Sequence, residues 1–263
     1  MNQDQVKKLL LSVEEAPMEF TVIFSGKKSR KVNGLYKPDT REIILHNRNF
    51  TDDNLLLYTA IHEYAHHLHA CSRGGSLSVR AHTAEFWAIF HGLLEKAEAG
   101  NIYKNVFDSS AELKKLTETI REKYLRQNGN LVKELGKALL RAEELCQAAG
   151  GRFEDYIDRI LRIPRTAARM MVKMYQYDLD PAAGSDNMRF LAGIRDDEDR
   201  SAAENALLAG KSPDSVKIQA RKPAEEEPRL RLEKERLRLE RTIASLSRRL
   251  GEVERELEDM RWP

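Results

Sequence analysis

The segment that decides the fold is Ile61-His62-Glu63-Tyr64-Ala65-His66-His67-Leu68, where three residues separate the first two histidines. Residues four apart lie on the same face of an α-helix, so the imidazoles of His62 and His66 can reach one ion. Glu63 lies one residue further round, where its carboxylate can act as general base on the water that attacks a substrate. The segment predicts a helix with two Zn²⁺ ligands and a catalytic carboxylate.

A catalytic zinc site needs a third protein ligand and leaves one coordination position open. The downstream candidates are His82, Glu85 and His91. His82 and Glu85 are three residues apart at the predicted start of the next helix, so one can bind the metal while the other supports it. His67 and His69 should point elsewhere on the metal helix, and we interpret them as surface or supporting residues.

Composition narrows the class of protein. Of 263 residues 33% are charged, 41% are hydrophobic and 7% are aromatic, which suits two modest domains and a solvated helical extension. A net charge of +2 indicates no bulk affinity for nucleic acid, so any such contact must be local. The two cysteines lie far apart, no signal peptide opens the chain and no apolar run approaches about 20 residues. We therefore expect a cytoplasmic protein with no membrane partner.

Residues 1–107 read as a small α+β domain with the metal site. All seven histidines lie between residues 46 and 91. Asn33-Gly34 is typical of a hairpin turn. The predicted elements are a helix at 3–13, strands at 19–24, 35–36 and 41–46, a metal helix ending near residue 70, and a helix at 79–99.

Residues 108–222 carry almost no strand pattern, and breaks such as Asn128-Gly129-Asn130 predict four or five short helices. Residues 223–263 begin with a linker, Pro223 to Pro228. Apolar residues then alternate in steps of three and four from Leu239 to Met260. This heptad seam predicts a coiled coil that can join copies of the chain into a homo-oligomer.

One stretch of the middle domain resembles a helix-turn-helix. Phe153 to Leu161 forms its first helix, and a second helix begins at Pro164 or Arg165. Basic residues recur there at steps of three and four, giving a stripe suited to DNA phosphates: Arg162, Arg165, Arg169 and Lys173. The alternative is an ordinary helical hairpin with a solvated charged face.

The first part of the chain resembles the SprT-like metallopeptidases, the group that includes the Spartan proteases. The resemblance lies in residues 61–68 and in His82-Thr83-Ala84-Glu85-Phe86-Trp87, and it covers about residues 15–95. It implies that His82 is the third zinc ligand. Thr83 stands where the family usually has glycine, and the cysteines of a following zinc ribbon are missing. The helix motif also resembles that of the ImmA/IrrE-type metallopeptidases, which use a downstream acidic ligand. That resemblance would imply that Glu85 is the third ligand.

These patterns together predict an α+β, zincin-like metallopeptidase domain, an all-α domain and a coiled coil. The resemblance implies a zinc endopeptidase whose substrate is a protein or peptide, including DNA-associated proteins. An extended substrate is expected to add to the sheet edge near Ile43 to Leu45. The alternatives are a regulator that cleaves one specific protein, and a DNA-binding or scaffolding protein with a non-catalytic metal domain.

Overall fold

The computed structural model describes residues 1–73, 81–220 and 228–259. The chain has a mixed α+β fold in which 70% of the structure is helical and a small three-stranded sheet supplies the β part. Its contacts divide it into two compact units, Met1–Ala220 and Arg221–Pro263.

The first part of unit 1 contains three helices around the sheet. Asn2 caps the first helix through its side chain, and Asp52 caps the metal helix by accepting from the backbone N–H groups of Asn54 and Leu55. The elements are α1 (Gln3–Val13), β1 (Thr21–Phe24), β2 (Gly34–Lys37), β3 (Glu42–Leu45), α2 (Asp53–Ser72) and α3 (Ala84–Ala99). The described helices and strands lie near their predicted positions. Helix α3 begins at Ala84, and the predicted helix start at residue 79 lies outside the described residues.

The sheet has the order β1-β3-β2, with β1 parallel and β2 antiparallel to the central strand β3. The predicted turn at Asn33-Gly34 is wrong, because Gly34 begins β2 and the chain reverses at residues 38–41. The proposed substrate edge near Ile43 to Leu45 is wrong as well. Both sides of β3 already pair with neighbouring strands, so a substrate has no free edge there.

The core of this part lies between the sheet and helices α1, α2 and α3. Large side chains that are almost completely buried fill it, namely Phe20, Ile43, Leu45, Ile61, Tyr64, Phe86 and Phe90. Helix α2 packs on both α3 and β2. The start of α3 therefore meets one face of α2 beside the edge strand β2. This packing positions the site described below.

The second part of unit 1 is entirely helical in the described residues. Helix α4 (Ala111–Thr119) continues through a π-helical segment (Ile120–Arg126) into α5 (Gln127–Ala148), so the predicted break at Asn128-Gly129-Asn130 is wrong. Gly129 keeps α5 close to its neighbour, since a Cβ there would lie 2.7 Å from the carbonyl oxygen of Pro181. A Cβ at Gly136 would likewise overlap the carbonyl of Met171. The glycines permit close packing instead of ending the helix.

The remaining elements of this part are short. They are α6 (Phe153–Asp155) with a π-helical segment (Tyr156–Leu161), α7 (Arg165–Gln176), α8 (Ser185–Leu191), α9 (Asp197–Leu208) and α10 (Pro213–Ala220). Two hydrophobic clusters lie among these helices, separate from the core around the sheet. Helix α10 packs against both α9 and α3, and so connects the helical part to the helix that follows the predicted third ligand.

Unit 2 contains one long helix, α11 (Pro228–Asp259). Its apolar side chains are between 49% and 68% exposed at Leu232, Leu239, Ile243, Leu246, Leu250 and Leu257. The predicted linker residues 223–227 and the last seam residue, Met260, lie outside the described residues. Across the described part of the chain, no helix combines the length and apolar character needed to cross a bilayer. A cytoplasmic location remains a prediction.

Candidate metal centre

Three predicted ligands meet at one point of unit 1. His62 and His66 project from the same face of α2, one turn apart, as the spacing predicts. His82 immediately precedes α3, whose N-cap is Thr83; the Thr83 hydroxyl accepts from the backbone N–H of Phe86 at 3.3 Å. The threonine that departs from the family pattern therefore begins the helix directly beside His82.

The spacing of the imidazoles fits a metal ion. One ligand atom from each of His62, His66 and His82 lies within 4.8 Å of the others. The Nε2 atoms of His62 and His82 are 3.2 Å apart. Two nitrogens that bind Zn²⁺ tetrahedrally at 2.0–2.1 Å would be separated by about 3.3 Å. The three histidines could thus hold a metal ion without rearrangement of this pair.

The protonation states of His62 and His66 also favour metal binding. Burial lowers the pKa of His62 to about 4, and neighbouring His82 adds to the effect. Burial also lowers the pKa of His66 to about 3, with further contributions from His62, His82 and His69. Both rings are neutral at pH 7, and a neutral imidazole has the free lone pair that a metal requires.

Glu63 lies beside the three histidines and is 7% exposed. Burial raises its pKa to about 7, while an interaction with the backbone N–H of Tyr36 opposes that rise. A carboxyl with this pKa can both accept and return a proton near neutral pH. Burial beside the histidines therefore gives Glu63 a pKa in the range expected of a general base.

Strand β2 approaches Glu63 closely. A Cβ at Gly34 would lie 2.9 Å from the Cγ and Oε1 atoms of Glu63 and 2.9 Å from Cγ2 of Thr59. A side chain at this position would displace Glu63 or Thr59, so glycine keeps Glu63 where it is, and this explains the residue that the sequence pattern assigned to a turn. The interpretation missed Gly34 and Tyr36 as parts of the site because a close approach between two distant elements leaves no local pattern.

The imidazoles and Glu63 open into a cleft of about 540 Å³ bordered by β2. The backbone N–H of His46 donates to the carbonyl of Asn33, and hydrogen-bonded pairs alternate along an antiparallel ladder. The backbone groups of Gly34 and Tyr36 therefore point away from β3, towards the free edge of the sheet. An extended peptide could pair with this edge.

Aromatic side chains of α3 pack against the imidazole rings of His66 and His82. The ring of His66 stacks on Phe86, with centroids 4.2 Å apart. The ring of His82 stacks on Trp87, with centroids 5.6 Å apart. These contacts hold both rings in place and surround the nitrogen atoms with an apolar wall.

The remaining histidines of α2 are not on the surface, so that part of the interpretation is wrong. His67 is 0% exposed and His69 is 1% exposed, because α2 is covered on several sides. Nε2 of His67 lies 3.0 Å from the carbonyl oxygen of Met18, and its Nδ1 lies 3.0 Å from the hydroxyl of Tyr36. Both ring nitrogens of His69 lack a hydrogen-bond partner within the structure as described.

The other candidate ligands lie outside the group of three. Glu85 is half-buried in the first turn of α3, and its charge raises the pKa of His69 against a net decrease caused by burial. His91 lies two turns further along α3, where its ring stacks on Trp87. The geometry therefore favours His82 as the third ligand.

The predicted basic stripe has one member three residues before α7, Arg162, and three members within α7, Arg165, Arg169 and Lys173. Arg162 has a left-handed backbone conformation (φ 56°) and ends the preceding helical segment. Nε of Arg165 donates to Asp158 at 2.8 Å, and Arg169 lies 3.8 Å from Glu154. Arg162 and Lys173 are exposed. Two members of the stripe therefore have acidic neighbours, in ion pairs that are exposed to solvent.

No protein-family model, curated protein or solved structure matches this chain.

Proposed function

We propose that the chain is a zinc-dependent endopeptidase of the SprT-like type, with a zincin-like fold in its first part. The observation that carries the proposal is the convergence of His62, His66 and His82 beside the buried carboxyl of Glu63, in a cleft open to the edge of a sheet. A structural metal site has no use for an acid with a pKa near 7 at this place.

The donor set favours zinc. Three imidazoles suit Zn²⁺, and a site with three protein ligands leaves a position for water or substrate. When bound, Zn²⁺ supplies Lewis-acid chemistry that polarises a carbonyl and makes water more acidic.

The chain's own residues would do the rest of the work. Glu63 accepts a proton from the attacking water at its carboxylate and returns it to the leaving amine. The backbone of Gly34 and the carbonyl of Tyr36 at the edge of β2 pair with an extended substrate and align the scissile bond. Phe86 and Trp87 keep the rings of His66 and His82 oriented.

The support for the SprT-like type is His82 followed by Glu85-Phe86, together with the placement of His82, instead of Glu85, among the candidate ligands. We propose protein or peptide substrates on this basis. DNA-associated proteins are included because of the resemblance, and the basic stripe is the feature that would bring the peptidase to them.

Replacement of Glu63 by glutamine tests the function. The Glu63→Gln variant should keep its fold and its zinc but lose hydrolysis of casein, or of itself, by at least about 100-fold, the lower range for a lost general base. Glu95→Gln, an exposed change on α3, is the matched control and should cleave at the wild-type rate. Zinc content by elemental analysis accompanies each assay. Cleavage by Glu63→Gln at the control rate would contradict the proposed role of Glu63 as general base. An adaptor protein would also contradict it, because its function should not depend on this carboxylate.

A further inference from the structure

A buried pair of polar side chains, His67 and Tyr36, connects α2 to the edge strand β2; His67 lies one turn after Glu63 on α2. The Nε2 atom of His67 faces the carbonyl oxygen of Met18, which can only accept a hydrogen bond, so Nε2 carries the proton. The Nδ1 atom is then an acceptor, and the hydroxyl of Tyr36 donates to it at 3.0 Å. The pair is therefore fully satisfied and has one orientation.

The environment of this pair holds it tightly. The ring of His67 packs against Phe20 at 5.0 Å and stacks against Tyr64 at 6.0 Å between centroids. Tyr36 is only 7% exposed. Two apolar rings could fill this volume, but a satisfied polar pair in an apolar core specifies a single arrangement, because any other leaves buried groups without partners.

The His67–Tyr36 pair specifies how closely β2 approaches Glu63. Tyr36 and Gly34 are alternate residues of β2, and both face α2. Gly34 is in close contact with the Glu63 side chain, and the backbone N–H of Tyr36 interacts with its carboxylate. Among the described residues, strand β2 pairs with β3 on one side and with no strand on the other, so contacts with α2 set its position there.

We propose that His67 and Tyr36 are positioning residues, which hold the edge strand against α2 so that Glu63 stays aligned with its substrate. The catalytic consequence rests on the proposed peptidase function. The positioning itself does not, because the alignment of Glu63 can be measured without any reaction.

Removal of one hydroxyl tests the catalytic arm. Tyr36→Phe should lower kcat by about 10–100-fold, the range typical of residues that orient a metal site, with KM and zinc content little changed. Tyr64→Phe is the matched control. Its hydroxyl also comes from the buried core, but it donates to the carbonyl of Glu14 at 2.7 Å, away from the cleft. Both variants should lose comparable stability, and only Tyr36→Phe should lose kcat.

Rescue by a conservative change separates positioning from packing. Glutamine at position 67 keeps one acceptor and one donor, so His67→Gln should retain more kcat than His67→Leu at equal zinc content. Equal kcat in Tyr36→Phe and Tyr64→Phe, or in His67→Gln and His67→Leu, would overturn the proposal.

A spectroscopic arm is independent of catalysis. With ¹³C-labelled glutamate, the side-chain carboxyl resonance of Glu63 can be assigned by its loss in Glu63→Gln. That resonance should move in Tyr36→Phe and stay in place in Tyr64→Phe. An unchanged resonance in both variants would refute the positioning role, whereas a moved resonance in a protein without peptidase activity would refute only the proposed function.

Discussion

The Nε2 atoms of His62 and His82 lie 3.2 Å apart, although 20 residues separate them in sequence. His62 belongs to the middle of α2, and His82 precedes the first residue of α3. Phe90 of α3 packs against the ring of His62 with centroids 5.1 Å apart, and Phe86 packs against all three imidazoles. The distance between the two histidines is thus a consequence of how α3 packs on α2.

The first prediction concerns the third ligand. His82→Ala should abolish stoichiometric zinc binding, whereas Glu85→Ala should retain most of the metal, because His82 belongs to the group of three and Glu85 does not. If Glu85 only supports the site, its loss weakens zinc affinity by about 10–100-fold. Metal titration of both variants measures the difference.

Fluorescence offers a direct signal for this titration. Trp87 stacks on His82, so metal binding at His82 should change its emission, and Trp262→Phe removes the other tryptophan. The signal should persist in Glu85→Ala and vanish in His82→Ala. The reverse ranking would place the chain with the peptidases that use an acidic ligand.

The second prediction concerns pH and the stability of the metal-free protein. Burial lowers the pKa values of His62, His66, His67 and His69. Below about pH 6.5 the unfolded chain binds protons that the folded chain does not. The free energy of unfolding should therefore decrease as pH falls from about 6.5 towards 4, by up to about 1.4 kcal/mol per pH unit for each such proton.

The carboxyl of Glu63 acts in the opposite direction. Its pKa is raised to about 7, so between pH 7 and 4.5 the folded chain binds this proton more readily than the unfolded chain. One carboxyl opposes four imidazoles, so the net loss at low pH remains. Glu63→Gln removes the opposing contribution and should make the loss steeper. Denaturant midpoints of chelator-treated protein at several pH values test this; a flat profile for both chains would contradict it.

Helix α2 and the meeting of His62, His66 and His82 could be predicted because their pattern is local. His62, Glu63 and His66 are related by helical spacing alone, and His82 lies just before a helix with a recognisable start. The three strands were predicted for a similar reason, since β-branched and aromatic residues cluster in them. Such patterns depend on neighbours within a few residues.

The supporting parts of the site depend on approaches between distant elements. Gly34 is suited to a turn in isolation, but its role is set by Glu63, 29 positions away. By its local pattern His67 is an ordinary polar residue on a helix, but Phe20, Tyr36 and Tyr64 enclose it in the structure. Local propensity cannot reveal these contacts, because tertiary packing overrides it.

The third prediction concerns α11. Six of its apolar side chains are between 49% and 68% exposed, at Leu232, Leu239, Ile243, Leu246, Leu250 and Leu257. Most of the stability of a helix in a protein comes from packing of its apolar face, and at these positions that face is in contact with water. We expect the full chain to associate through this seam, and a chain ending at Ala220 to stay monomeric. Sedimentation measures both. Leu246→Glu, which places a charge in the seam, should weaken association, whereas Ser247→Glu beside it should have a smaller effect. The same oligomeric state in the full and shortened chains would contradict the coiled coil.

The fourth prediction concerns DNA. Each phosphate neutralised on duplex DNA contributes about 0.9 to the slope of log affinity against log salt. A stripe of four cations would give a slope of about −3 to −4. Because Arg165 and Arg169 already pair with Asp158 and Glu154, we expect a slope of only about −2. Salt-dependent fluorescence anisotropy with a short duplex measures it.

Variants of the acidic partners make this test decisive. Asp158→Asn with Glu154→Gln frees both arginines, so the slope should become steeper by about two. Replacement of Arg165 and Arg169 by alanine should change the wild-type slope little, because these side chains are already neutralised by their partners. A wild-type slope near −4 would mean that phosphates displace the carboxylates. All four cations of the stripe would then contact DNA phosphates. No binding at about 50 mM salt would leave the helical part as a protein-interaction module, since cations that ignore duplex DNA at low salt have no electrostatic reason to bind it in a cell.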